Sequence, residues 1–191
     1  MAQTNITIIN KALSRIGAPT ITSLDDGSRE AEVMNELYES TYQSLLVEAP
    51  WTFARKDLEL SQNVVDPIDQ NFQYSYLLPT DYINIISFYS SGGSTEKYFS
   101  VQGDYVYSNL NRLFAKYIYQ PSETELPAWF TNYLIVKLAY VSTEAIIGIG
   151  SVQDRLEKEL YAVRAAAFKQ DNALTPRISA LAPSKYVSVR G

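Results

Sequence analysis

The side chains with the type and spacing for acid–base chemistry in this sequence are carboxylates, because the chain contains neither cysteine nor histidine. They fall in pairs: Asp25 with Asp26, Asp57 with Glu59, and Glu123 with Glu125. Glycoside hydrolysis needs two carboxyl groups facing each other across a sugar, one with its pKa raised by burial. Proximity in a loop or along one strand does not provide that separation, so each pair reads first as surface charge. The missing residue types remove disulfides, thiolate and imidazole metal sites, and every nucleophile–base arrangement built on Cys or His. Gly148-Ile149-Gly150 stands between two helical patterns rather than after a strand, the wrong context for a phosphate-binding loop. Ser91-Gly92-Gly93-Ser94 reads as a loop tip with no histidine to activate a serine. The expectation is therefore no catalytic residue, no cofactor and no metal ligand.

The elements that would hold these groups are helical at both ends and β in between. Ile6, Ile9, Leu13 and Ile16 recur at steps of three and four, which predicts a helix over about 5–17 that ends at Gly17 ahead of Pro19. Ser28 can cap a second helix over 28–49, with Met34, Leu37, Tyr38, Thr41, Tyr42 and Leu45 along its buried stripe and Pro50 as its stop. Pro127 in a first-turn position opens a third over 127–148, apolar on more than one side. Such breadth suits the central helix of a bundle or a helix wedged between subunits. Ser151 with Asp154 predicts a capping box for a fourth helix over 151–171, whose inner stripe is Leu156, Leu160, Val163, Ala166 and Ala167. Ala162, Ala165 and their alanine neighbours permit close helix packing. Between residues 51 and 119, five or six short, mostly antiparallel strands are expected, including a hairpin turn at Gln102-Gly103-Asp104. The predicted fold class is α+β: a helical bundle from residues 1–50 and 120–171, an inserted β subdomain at 51–119, and an extended tail at 172–191.

A chain of 191 residues with 46% hydrophobic content can bury a real core in one domain with a subdomain. The formal charge of −5 argues against a sheath that grips nucleic acid through many phosphate contacts. The last twenty residues hold Arg177, Lys185 and Arg190 and no acid, so residues 1–171 carry −8 of that total. A basic tail on an acidic body invites electrostatic docking, although solvated solubilising charge fits as well. Pro176 and Pro183 exclude a long helix there. Ile178, Leu181, Tyr186, Val187 and Val189 make the tail a candidate for docking on a partner or for packing back on its own body. Nine of the fifteen tyrosines lie between residues 51 and 119. Tyrosine combines contact area with a water-tolerant hydroxyl, which suits a surface that meets another protein, and it is equally an ordinary strand former. No run approaches the length of a membrane span and the polar start is not a secretory signal, so a soluble protein inside the cell that makes it is expected.

Several blocks resemble one family. Ile8-Ile9-Asn10-Lys11-Ala12-Leu13, Arg15-Ile16-Gly17 with Pro19, Ile21-Thr22-Ser23-Leu24-Asp25-Asp26, and Pro50-Trp51-Thr52-Phe53-Ala54 are similar to the opening of the head-to-tail adaptors, or tail tubular proteins A, of short-tailed bacteriophages. Leu78-Pro79-Thr80-Asp81-Tyr82, Gly103-Asp104-Tyr105-Val106-Tyr107 and the helix after Pro127 continue the likeness over nearly the whole chain. Ala18 departs from it, since many relatives carry an acid there. The resemblance implies a structural virion protein, made in the host cytoplasm and located in the tail. Its homo-oligomeric ring, dodecameric in well-known members, would sit between the portal protein and the tail nozzle protein, with room for a tail fibre. DNA would pass through the lumen without specific binding, and no membrane is involved. Under that reading the tail residues Arg177, Ile178, Leu181, Lys185, Tyr186 and Arg190 would meet the portal, and Tyr98, Phe99, Tyr105 and Tyr107 the nozzle. Two readings from other classes stand beside it: a carboxylate-dependent glycan hydrolase associated with the tail, and a free-standing protein-binding module.

Overall fold

The computed structural model describes residues 4–63, 67, 69–148 and 150–174. Within them lie four helices and two antiparallel sheets, so the fold is α+β. Helix α1 spans Asn5–Ile16. The Thr4 side chain accepts from the Thr7 N–H at its start, and Gly17, with φ 76°, turns its N–H back onto Leu13 and Ser14 at its end. Only a residue without a Cβ takes that left-handed cap cheaply, which is why the helix stops there. Helix α2 spans Arg29–Glu48, with Ser28 as its cap accepting from the Ala31 N–H. Asp26 holds that serine in place, 2.6 Å from its hydroxyl and 3.0 Å from its N–H.

Helix α3 spans Ala128–Ile147 and helix α4 spans Ser151–Leu174. The other three helices all pack on α3, which explains its apolar breadth. Four details differ from the sequence reading. Pro127 is the cap residue and not the first helical one. Ser151 is the first helical residue of α4, with the Gln153 and Asp154 N–H groups donating to Gly150 O instead of to a serine cap. Helix α4 runs on to Leu174, so residues 172–174, assigned to an extended tail, are helical. Ala162, Ala165 and Ala166 face outward, since the helix buries its opposite side through Leu156, Ala167 and Asp171.

Among the described residues, seven strands occupy the middle of the chain: β1 (Arg55–Glu59), β2 (Tyr74–Leu77), β3 (Tyr82–Tyr89), β4 (Thr95–Glu96), β5 (Phe99–Gln102), β6 (Tyr105–Ser108) and β7 (Phe114–Tyr119). They form a four-stranded sheet of order β1-β7-β3-β4 and a three-stranded sheet of order β2-β6-β5. The reading of five or six strands in one set missed both the two-residue β4 and the split. The Ser90–Ser94 tip is a closed hairpin turn, with Ser90 and Ser94 bonded at 2.9 Å. Gly103, with φ 59°, occupies the first central position of the two-residue β5–β6 turn, where a left-handed residue matches the strand twist.

There are two cores. The larger belongs to the helices and includes Trp51, which is fully buried, donates its indole N–H to Leu45 O at 2.7 Å, and touches Phe130 and Phe168. The smaller is centred on Leu60, Tyr76, Leu78, Phe88, Val106, Leu113, Ala115 and Tyr117 between the two sheets. Polar bonds stitch the blocks together. Tyr42 Oη donates to Pro121 O at 2.6 Å, and Asp171 Oδ1 accepts from both the backbone N–H (2.8 Å) and the hydroxyl (2.6 Å) of Thr52.

Candidate interaction surfaces

Of the six carboxylates singled out for chemistry, Asp25 is exposed and the other five are committed to folding contacts. Asp26 caps Ser28 and accepts from the Thr22 N–H, and these bonds hold its pKa below the ordinary value. Glu59 pairs with Arg112 through two bonds of 2.6 and 2.8 Å, which pull its pKa down. Asp57 accepts from the Tyr89 hydroxyl at 2.9 Å and faces Lys116 at 3.7 Å. Glu123 accepts from the Tyr38 hydroxyl at 3.2 Å. Glu125 closes a capping box on Ser122, whose hydroxyl and backbone N–H lower its pKa. Burial, helped by Glu123, pushes the Tyr38 and Tyr42 phenols well above their ordinary range. None of the clefts described below is lined by both members of one of these pairs.

What the β unit presents is apolar area. Tyr98 is 61% exposed, with its backbone N–H donating to Glu96 Oε1 at 2.6 Å and its ring 5.1 Å from Phe72. Phe99 is 41% exposed and rests edge-on against buried Phe88 at 4.9 Å. Tyr105 is half-buried. Tyr107, expected on the same contact face, is buried instead: it shares a face of β6 with Tyr105, but the Phe72 ring stacks against it there. The reading also missed Leu77, Tyr82, Ile86 and Val101, all exposed. Val101 was open to detection, standing two residues from Phe99 on the same strand face; the others depend on register. An apolar groove of about 310 Å³ runs between β3 and β5, lined by Leu78, Tyr82, Ile86, Phe88, Phe99 and Val101.

The helical block carries two clefts. One of about 840 Å³ lies between α1 and α3, lined by residues that include Lys11, Arg15, Thr131 and Asn132. Arg15 pairs with Glu159 and donates to Asn132 at 3.1 Å, while the Thr131 hydroxyl is buried without a hydrogen-bond partner. The other, about 340 Å³, is lined from α2, α3 and α4 and includes Glu48, Tyr133, Tyr140, Tyr161 and Arg164. Tyr133 donates to Glu48 at 2.6 Å, and burial together with that bond pushes its phenol above the ordinary range. The α3 residues of the two clefts, 128, 131, 132 and 135 against 133, 137 and 140, point to roughly opposite sides of that helix. Helix α1 bears Lys11 and Arg15 and no acid, whereas α2 exposes Glu32, Glu36 and Glu39.

The expected portal contacts Arg177, Ile178, Leu181, Lys185, Tyr186 and Arg190 all lie outside the described residues. Among the described residues no helix is long and apolar enough to cross a membrane, and no group of three or more acidic side chains could hold a metal ion. No family model and no curated protein matches the chain.

Proposed function

We propose that this chain is a structural virion protein: a ring-forming adaptor that joins the portal of a short-tailed bacteriophage to the nozzle of its tail and contributes to the DNA conduit. The observation that carries the reading, beside the sequence resemblance, is the division into two separately cored blocks, with exposed aromatic and aliphatic side chains gathered on the sheet of the smaller one. A connector needs two ends that can each be shaped for a different neighbour. The β unit offers Tyr98, Phe99 and Tyr105 to the nozzle, with Leu77 and Val101 beside them; Tyr107 supports that surface from inside. The tail residues Arg177, Ile178, Leu181, Lys185, Tyr186 and Arg190 reach the portal.

A closed ring joins one flank of each subunit to a different flank of the next. The two clefts on opposite sides of α3, with a basic α1 and an acidic α2, favour that kind of contact. The net negative body lets DNA slide without being gripped. The engagement of Asp26, Asp57, Glu59, Glu123 and Glu125 in folding contacts favours a binding role over hydrolysis. The test is electron microscopy of the purified protein mixed with its portal. A ring seated on the portal is expected; a protein that stays monomeric and apart from the portal overturns the proposal.

A further inference from the structure

Helix α3 begins without a side-chain cap. Its cap residue, Pro127, has no side-chain oxygen to accept from the first turn, and among the described residues the N–H groups of Ala128, Trp129 and Phe130 have no acceptor. Thr131 N–H is the first to be bonded, to Pro127 O at 2.9 Å. Free N–H groups at the start of a 20-residue helix carry the positive end of its dipole, which favours a carboxylate or another anion. Ala128 puts this turn on the wall of the cleft of about 840 Å³ between α1 and α3.

A second observation at the same place points to a ligand. Thr131 lines the cleft too, is 4% exposed, and its hydroxyl is buried with no partner among the described residues. A buried hydroxyl is costly to leave unpaired, and an acceptor seated in the cleft would satisfy it. The facing wall, α1, adds Lys11, which is exposed and makes no ion pair among the described residues. Arg15 is less available, because it is shared between Glu159 and Asn132.

Size and charge narrow the occupant. A water's share of liquid volume is about 30 Å³, so a space of about 840 Å³ far exceeds one ion. Small-molecule sites are mainly apolar with a few polar groups, whereas seven of the nine residues lining this cleft are polar. That lining suits a protein surface bearing carboxylates, and the chain presents one. On α2, Glu32 and Glu36 are exposed, turn away from the buried stripe of Met34, Tyr38 and Tyr42, and make no side-chain hydrogen bond or ion pair among the described residues. Four residues apart, they set two carboxylates about 6 Å from each other along one ridge. Glu39 continues the ridge, but Gln43 and Gln120 occupy its carboxylate. The second cleft places α2 beside Tyr133 and Lys137, on the side of α3 away from Ala128 and Thr131, so ridge and cleft belong to different flanks of one subunit.

We propose that the start of α3 is a carboxylate site completed by a second copy of this chain, whose Glu32 and Glu36 enter the α1–α3 cleft against Lys11, the Thr131 hydroxyl and the free N–H groups of the first turn. The contact is heterologous: each copy gives its ridge to one neighbour and receives the ridge of the other, which builds a ring when the rotation closes. The assignment rests on the ring-forming reading and names the two faces that meet in it.

The test is a charge exchange in the full chain, read as the fraction of subunits found by electron microscopy in rings on the purified portal. Lys11→Glu, Glu32→Lys and Glu36→Lys are each expected to lower that fraction at least about ten-fold, by setting like charges against each other. Lys11→Glu combined with one of the two lysine substitutions recovers it at least about five-fold over Lys11→Glu alone, leaving the other glutamate for the start of α3. Circular dichroism of these variants stays that of the parent, since the three side chains are exposed and unpaired among the described residues. Thr131→Val keeps the shape, deletes the hydroxyl and is expected to reduce ring formation about three-fold. Undiminished rings from any single charge reversal, no recovery from either exchange, or Thr131→Val without effect would each overturn the assignment while leaving the ring reading in place. Failure of the parent to form rings overturns both.

Discussion

Asp171→Ala is expected to destabilise the protein by about 2–4 kcal/mol. The side chain is 8% exposed, and one of its oxygens accepts two bonds from Thr52, at 2.8 Å from the backbone N–H and 2.6 Å from the hydroxyl. Each hydrogen bond to a charged acceptor contributes about 1.5–3 kcal/mol, and truncation leaves the Thr52 N–H without its acceptor. The hydroxyl, on a half-buried residue, can turn to water, which lowers the sum. Asp171→Asn keeps an acceptor of the same shape and loses only the charge, so about 1 kcal/mol is expected. In a chain of this size 1 kcal/mol moves Tm by about 2–4 °C, which puts Asp171→Ala roughly 5–15 °C below the parent.

Urea unfolding followed by two probes measures this and locates it. Both tryptophans, Trp51 and Trp129, sit together in the helical block with rings 5.8 Å apart, and the β core has none. Fluorescence therefore follows the helices, and circular dichroism follows the whole. A double-mutant cycle with Thr52→Ala isolates the hydroxyl bond, with a coupling of about 1 kcal/mol expected. The reasoning is refuted if Asp171→Ala lies within about 0.5 kcal/mol of the parent, or if Asp171→Asn is as damaging as the alanine.

Tyr42→Phe removes the 2.6 Å bond to Pro121 O and strands a buried carbonyl, so a fall of about 1–2 kcal/mol in urea unfolding is expected. Burial, then the bond to Asp81, holds the Tyr117 phenol up to about 12. A raised phenol favours the folded state fully below the unfolded value near 10, and that contribution is lost as pH rises through about 12. Thermal unfolding of Tyr117→Phe should accordingly show a shallower alkaline decline above pH 10 than the parent. Tyr98→Asp with Phe99→Asp is expected to leave the circular dichroism spectrum unchanged and to reduce capture by a purified tail nozzle at least ten-fold; undiminished capture removes these two from the contact surface.

Helix limits were legible where a residue's own backbone chemistry decides them. Gly17 takes a left-handed φ, Ser28 supplies a cap oxygen, and Pro50 cannot continue a ladder, so α1 and α2 fall close to their expected places. At Ser151 the same reasoning failed, because a hydroxyl within the first turn looks in sequence like one before it. The alanines of α4 misled for a related reason: small side chains are compatible with a packed face and do not demand one. The two-sheet division was beyond reach, since it depends on which strands pair and on Leu60 turning inward where β1 ends. Asp171 gave no signal either. A lone acid near a helix end looks like solvated charge until the fold brings Thr52 to it.

The tyrosines show how a compositional signal divides once burial is known. Tyr38, Tyr42, Tyr76, Tyr117 and Tyr133 each donate a hydroxyl to a fixed acceptor, respectively Glu123, Pro121 O, Leu110 O, Asp81 and Glu48. A buried phenol without such a partner would cost more than its ring gains, so these side chains are bound to interior geometry. Tyr107 is buried as well. What is left to face a partner is narrower than the tyrosine count implied and is only partly aromatic: Tyr98 and Phe99 with the aliphatic Leu77 and Val101. Exposed Phe99 and Val101 on the uncharged edge strand β5, more than tyrosine abundance, mark this end of the molecule as a place where a partner surface fits.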